Sequence, residues 1–312
     1  MMQRYMIIST SLMALLAGCA TNRRDLVYVE SGSFEMGDRR GEGDVDERPV
    51  HRVRVDSFWI GKHEVTVGQF REFVDNTGYV TTAEKNNGAQ VLVENRVEQR
   101  DDANWRNPCF TQEEDHPVVC VSWYDAIAYC NWRSTREGLE PCYRADEAGV
   151  ICDFTASGYR LPTEAEWEFA ARSRGTEHKY AWGNGSPGEG GRKGGNTRDE
   201  AAKRVWNCKN IWEGYDDGYA CTAPVCAYKP NALGLHDLSG SVYEWCWDWY
   251  DEHYYEHSPE HNPRGPGKGE TRACRDCGFI CPLYQEILVT RGKAKPDFTF
   301  SWGGFRIART VE

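Results

Sequence analysis

A second long hydrophobic run is missing from this 312-residue chain: beyond residues 5–17, no stretch approaches the ~20 apolar residues that a membrane helix needs. That excludes a multi-span helical membrane protein. Basic charge is also short, with 37 Lys and Arg against 48 Asp and Glu, and the net charge of −11 is spread along the chain. A surface built to neutralise phosphates is therefore not expected, and nucleic acid is excluded as a partner. Internal repeats and low-complexity linkers are lacking, so nothing divides the chain and one large domain is expected. There is no Gly-x-Ser-x-Gly elbow or Ser/His/Asp set, and the eight histidines fall in no metal motif, which removes the common hydrolase and zinc signatures.

What is present begins at the N-terminus. Met1-Met2-Gln3-Arg4 precedes the apolar residues 5–17, the charge-then-apolar layout of a secretory signal, and the stretch is too short to span. Leu16-Ala17-Gly18-Cys19 sets small residues before a cysteine, which resembles the lipobox of bacterial lipoproteins. The expectation is a signal peptide over residues 1–18, acyl chains on Cys19, a lipidated tether over 19–26 and one extracytoplasmic domain over 27–312. The alternative is an ordinary signal peptide cleaved near Ala20. The expected location is the cell envelope, lipid-anchored, and by analogy the outer membrane in a Gram-negative cell, because Ala20 rather than Asp follows the cysteine.

Of 13 cysteines, setting Cys19 aside for lipid leaves an even number in a compartment that oxidises thiols, so several disulfides are expected. Their connectivity cannot be read from sequence. Val27-Tyr28-Val29 reads as a strand. Three helices have start signals: Thr66 with Gln69, Ser122 with Asp125 and Thr163 with Glu166 are capping boxes, each followed by an apolar stripe, running to Gly78, Gly138 and Gly175. Residues 180–212 and 251–272 show no apolar periodicity and read as long surface loops, stapled by cysteines and packed by tryptophans. In Trp245-Cys246-Trp247-Asp248-Trp249-Tyr250, alternation puts the tryptophans on one face and implies that at least one face is buried; such a cluster serves either as core or as a sugar or peptide groove.

Several segments in order, among them Phe34-Glu35-Met36-Gly37, Glu64-Val65-Thr66, residues 160–172 (RLPTEAEWEFAAR), residues 234–245 (GLHDLSGSVYEW) and Gly304-Phe305-Arg306, resemble the formylglycine-generating enzyme, or sulfatase-modifying factor, family over about residues 27–309. The resemblance implies an α+β fold: a single irregular formylglycine-generating-enzyme-type domain, distantly C-type-lectin-like, low in regular structure and stabilised by Ca2+. It implies one calcium site from the side chains of Asn210 and Asp217 with the carbonyls of Ile211 and Tyr219. It implies a second from Asp237 and Glu244 with the carbonyls of Gly240 and Val242. Clustered carboxylates, amides and carbonyls in Gly-rich loops suit an ion that takes six to eight oxygens, although an isolated Asp-Gly or loop Asn is more often a turn residue.

Family enzymes use O2 and a Cu+ held by two cysteine thiolates to oxidise a cysteine in a Cys-x-Pro-x-Arg motif of a sulfatase. Their active segment, Arg/Lys-Gly-Gly-Ser-aromatic followed by two cysteines five residues apart, corresponds here to residues 274–286. Cys281 takes the first cysteine's place, Glu286 the second's, Gly278 the serine's, and Pro282 that of a histidine. A carboxylate is a hard, poor substitute for a thiolate on copper(I). Cys277 could supply the second sulfur, and a disulfide among Cys274, Cys277, Cys281 and other cysteines is the alternative. A redox or zinc role for the Cys-x-x-Cys at 274–277 lacks the βαβ context or the second ligand pair it needs.

Two functional readings follow. One is a lipid-anchored binding or scaffold module with a degenerate copper site. The other is a copper-dependent oxidase with Cys281 and Cys277 as catalytic ligands. In both, the partner is an exported protein or peptide, a sulfatase in the second, and the membrane is met through the lipid.

Overall fold

The computed structural model describes residues 25–147, 149–285 and 287–311; the signal segment, Cys19, most of the tether and Glu286 lie outside the described residues. Two four-stranded sheets organise the chain. In the first, Phe58–Gly61 is flanked antiparallel by the opening strand Leu26–Val29 and by the closing strand Ala308–Thr310, which also pairs with Tyr159–Arg160. In the second, Tyr243–Trp249 pairs antiparallel with Arg272–Arg275 and parallel with Gly303–Gly304, while Arg272–Arg275 also carries Arg291–Ala294. Three separate hairpins join Gly32–Met36 to His51–Val55, Ala89–Val93 to Arg96–Arg100, and Tyr143–Asp146 to Gly149–Cys152.

The capping boxes start helices as expected. Val67–Thr77 begins after Thr66, whose hydroxyl accepts from the Gln69 N–H, and Gly78 ends it in the left-handed region. Trp123–Arg136 follows Ser122 in the same way. Glu164–Ala171 follows Thr163 but stops before Gly175, because Ser173 and Arg174 already turn to positive φ. The segment expected to be a bare loop over residues 180–212 contains a further helix, Glu200–Trp206, capped by the Asp199 side chain. The other expected loop, residues 251–272, is irregular apart from one 3-10 turn, Tyr254–Glu256, that buries Tyr254 and Tyr255.

Glu164–Ala171 is buried along its whole length, so its three glutamates need partners inside. Glu164 meets Arg275 and Arg291, Glu166 takes both guanidinium nitrogens of Arg160 at 2.7 Å, and Glu168 meets Arg275 at 2.8 Å. The Arg275 and Arg291 pairs tie the helix to the second sheet, and the Arg160 pair ties it to the first. Phe70 packs against Phe73, Trp105, Tyr129 and Phe305 in the larger apolar cluster. Trp123 and Trp245 lock the helix Trp123–Arg136 to the central strand, donating to the carbonyls of Cys246 and Val121. Arg272 covers three of the tryptophans, its guanidinium lying 3.8, 4.8 and 3.5 Å from the Trp123, Trp247 and Trp249 ring centres. The tryptophan cluster is thus packed structure and not an open groove.

Candidate functional site

The cysteine loop leaves the strand Arg272–Arg275 through two left-handed residues, Asp276 (φ 64°) and Gly278 (φ 70°). Asp276 fixes the turn, its Oδ1 accepting from the N–H groups of Cys277 at 2.6 Å and Gly240 at 3.1 Å. Cys277 and Cys281 are joined in a disulfide. The Tyr243 hydroxyl lies 3.7 Å from each sulfur. Cys274 remains a free, buried thiol, and burial pushes its ionisation well up. Beside the disulfide opens a cleft of about 230 Å³ walled by Tyr243, Phe298, Phe300 and Trp302, with Lys293 among its lining residues.

A copper(I) ion requires two thiolates, and a disulfide offers none. In this form the residues present do not fit that ion.

The turn over residues 237–244 is built on three left-handed residues, Asp237, Gly240 and Ser241. Asp237 accepts from the Cys226 N–H through Oδ2, while its Oδ1 has no partner. Burial raises the Asp237 carboxyl to about 6. Glu244 is fully buried; Arg306 Nε and the Trp167 indole N–H share its Oε2, and Arg306 Nη2 takes Oε1. Two further carboxyls that sequence reasoning did not place here stand alongside, Glu64 and Asp276. Of the two side chains expected to hold calcium at this turn, Asp237 offers an orphaned oxygen, whereas both oxygens of Glu244 are taken by Arg306 and Trp167.

At the other expected site the predicted ligands differ in burial. Asp217 is buried, Ile211 is buried, and Tyr219 is partly exposed, but Asn210 faces solvent. The amide that reaches Asp217 belongs to Asn196: its Nδ2 lies 3.3 Å from Asp217 Oδ2 and 3.5 Å from the Tyr219 carbonyl, and its Oδ1 has no partner. Turning that amide over would set Asn196 Oδ1 beside the Asp217 carboxylate and the Tyr219 carbonyl, an arrangement of oxygens that a cation can bridge. Burial, and then the neighbouring Asp199, raises the Asp217 carboxyl to about 7.

Local topology explains why sequence missed Asn196. The chain leaves at Arg198, makes the helix Glu200–Trp206 and returns at Trp212, whose N–H donates to the Arg198 carbonyl at 2.9 Å. This excursion brings residues 196 and 217 together and carries Asn210 outward. The two turns also touch: the Asn196 carbonyl accepts from the Ser241 N–H at 2.8 Å, and a Cβ on Gly240 would lie 2.1 Å from that same oxygen.

The architecture defines a loop-rich α+β domain with a cysteine loop set against two oxygen-rich turns. The family model for the sulfatase-modifying factor enzyme 1-like domain matches residues 14–311, and the chain belongs to this family. The chain is 35% identical to the formylglycine-generating enzyme of Streptomyces coelicolor, over 93% of this chain and 90% of that one. It is 33% identical to a Bos taurus protein named inactive C-alpha-formylglycine-generating enzyme 2, over 71% of this chain and 69% of that one. It is 30% identical to the Paenibacillus barcinonensis chaperone protein LppX, over 75% and 76%. Among solved structures it resembles PvdO from Pseudomonas aeruginosa, with a TM-score of 0.69 at 26% identity, covering 92% of this chain and 94% of that one.

Proposed function

We propose that this chain is a lipid-anchored extracytoplasmic module of the family that binds or scaffolds an exported protein or peptide, is stabilised by calcium and has a degenerate copper site. The observation that carries the reading is the Cys277–Cys281 disulfide, which occupies both sulfurs that copper(I) would need. The existence of a relative whose name marks it as inactive is consistent with loss of chemistry on this scaffold. Cys19 supplies the anchor, and the aromatic cleft beside Tyr243 offers a place for an apolar side chain of the ligand. Calcium is held at the turn over residues 237–244 and at Asp217 with Tyr219, with Asn196 in the position expected of Asn210.

The second reading, a copper-dependent oxidase that makes formylglycine in an exported sulfatase, is favoured by the Streptomyces coelicolor relative and requires Cys281 and Cys277 as thiolates. One experiment separates the two. Native, calcium-loaded protein is alkylated without reductant, and Cys274, Cys277 and Cys281 are read by peptide mass spectrometry. The binding module predicts that Cys277 and Cys281 remain unlabelled until reduced. Labelling of both in the native protein, followed by tight copper(I) binding and turnover of a Cys-x-Pro-x-Arg peptide, overturns it.

A further inference from the structure

We propose that Cys142 and Cys152 form a second disulfide, which closes the base of the hairpin made by Tyr143–Asp146 and Gly149–Cys152, while the nearby Cys130 stays a thiol. In this structure all three are free thiols. The inference rests on the extracytoplasmic part of the proposed function for its oxidant.

The hairpin register sets Tyr143 opposite Cys152, and one step further out the Asp153 N–H donates to the Cys142 carbonyl at 2.8 Å. Cys142 and Cys152 are therefore one step off register across an antiparallel pair. Opposed Cα atoms ~4.5–5.5 Å apart and a rise of ~3.4 Å per residue put two such Cα atoms about 6 Å apart, within the range that disulfides span. Inside a regular strand the two side chains would point to opposite faces. Cys142 escapes that alternation because it lies at a bend just outside Tyr143–Asp146. Its thiol is buried, 4.0 Å from the Ala156 carbonyl, and the Cys152 thiol is its hydrogen-bonding neighbour.

Three thiols meet here, and their surroundings choose the pair. The hydrogen bond with Cys152 draws the ionisation of the Cys142 thiol down, with the Arg160 guanidinium acting in the same direction, whereas burial holds the Cys152 and Cys130 thiols up. Cys142 is thus the most readily ionised of the three, with Cys152 beside it as donor. Cys130 sits inside the helix Trp123–Arg136, buried, and acts on Cys142 by charge alone. Cys152 is half-buried, which gives an oxidant its way in. That oxidant is an external disulfide: it gives up its S–S bond, takes two electrons and two protons and leaves as two thiols, while the bond between Cys142 Sγ and Cys152 Sγ forms.

The strand Tyr143–Asp146 is fixed to the helix Trp123–Arg136 by Asn131, whose Oδ1 accepts from the Tyr143 N–H at 3.0 Å and whose Nδ2 donates to the Tyr143 carbonyl at 2.8 Å. Among the described residues the strand Gly149–Cys152 pairs with Tyr143–Asp146 alone, and a lone two-stranded hairpin is marginally stable. Two residues past Cys152, the Phe154 ring meets the guanidinium of Arg264 at 3.9 Å, that of Arg160 at 4.8 Å, and Trp247 edge-on. Joining Cys152 to Cys142 therefore anchors the segment that carries Phe154 onto the tryptophan cluster.

The test uses the full-length protein in detergent, reduced with a phosphine, freed of it and equilibrated in glutathione buffers of rising disulfide content. Remaining thiols are alkylated under denaturing conditions and the protein is digested with trypsin. Cleavage after Arg136, Arg144 and Arg160 puts Cys142 and Cys152 on different peptides, residues 137–144 and 145–160, so mass spectrometry reads the bridge as their linkage. The linked pair is expected in wild type and in Cys130→Ser, and it should be lost in Cys152→Ser. The inference is overturned if Cys277–Cys281 forms while Cys142 and Cys152 are both alkylated, or if Cys142 is found linked to Cys130. Because the buffer supplies the oxidant, the result does not depend on export. A linked Cys142–Cys152 pair beside alkylated Cys277 and Cys281 supports the inference and counts against the binding-module reading. Should neither bridge form in excess glutathione disulfide, both fall. If a variant does not fold, the wild-type linkage decides.

Discussion

Arg306 and Glu244 meet as a two-pronged pair, Nε to Oε2 and Nη2 to Oε1, both at 2.6 Å and both side chains 0% exposed. Because Arg306 also gathers the carbonyls of Gly61, His236 and Asp237, it holds the turn over residues 237–244 against the first sheet. Arg306→Met should lower unfolding stability by about 3–5 kcal/mol, since it leaves Glu244 buried with only the Trp167 indole as donor. Lysine should not restore the loss, because an ammonium cannot reproduce the paired geometry. Urea unfolding monitored by tryptophan fluorescence would check both; a stability equal to wild type would show that the pair does not hold the turn.

Gly240 is needed for conformation and for space. It sits at φ +84°, and a methyl group there would collide with the Asn196 carbonyl at 2.1 Å. Gly240→Ala should cost about 1–3 kcal/mol or more. Gly267, with nothing within 4 Å of an added Cβ, is the control, and its alanine variant should change stability by less than about 0.5 kcal/mol. Thermal melts of the two variants side by side give the comparison.

Glu47 is 1% exposed in the turn Val45–Glu47, where burial raises its carboxyl from 4.5 to about 7, Arg275 opposing and the aspartates nearby reinforcing the rise. The folded chain therefore keeps a proton that the unfolded chain has released. That contribution is complete below pH 4.5 and is lost as pH rises through 7, an effect of about 3 kcal/mol. Stability measured from pH 4.5 to 7.5 should fall less steeply in Glu47→Gln than in wild type. Parallel pH profiles for the two proteins would show that Glu47 is already ionised when folded.

For the turn at Asp217, Asn196→Ala should weaken calcium binding by about tenfold or more, while Asn210→Ala should leave it unchanged. Terbium luminescence with calcium competition reads this directly. The reverse order would restore Asn210 to the site.

The parts of the fold written in local chemistry were legible. Thr66, Ser122 and Thr163 each announce a helix because the hydroxyl and the residue three positions later satisfy end groups of the same turn. The helix Glu200–Trp206 was hidden because its cap, Asp199, is followed three residues later by Ala202 instead of Glu or Gln, and its seven residues make no full apolar stripe. Asn210-Ile211-Trp212 carries the family's local pattern, whereas the proximity of Asn196 to Asp217 is set by the excursion between Arg198 and Trp212, which no local pattern shows. Glu64 reads in sequence as the residue before a helix cap. Its environment comes from Asp237, Glu244 and Arg306, all more than 170 positions away, and no local pattern carries that information.

The strands Leu26–Val29 and Ala308–Thr310 both run antiparallel to Phe58–Gly61 and hence parallel to each other. Tension applied between the leading end of the first and the trailing end of the last would draw them in opposite senses along their own lengths. Every ladder bond they make to Phe58–Gly61 would then bear load together and could not open one after another. A domain hung from its N-terminal side and pulled from its C-terminal side would accordingly resist as a shear lap joint does, with the strand Phe58–Gly61 as the shared plate.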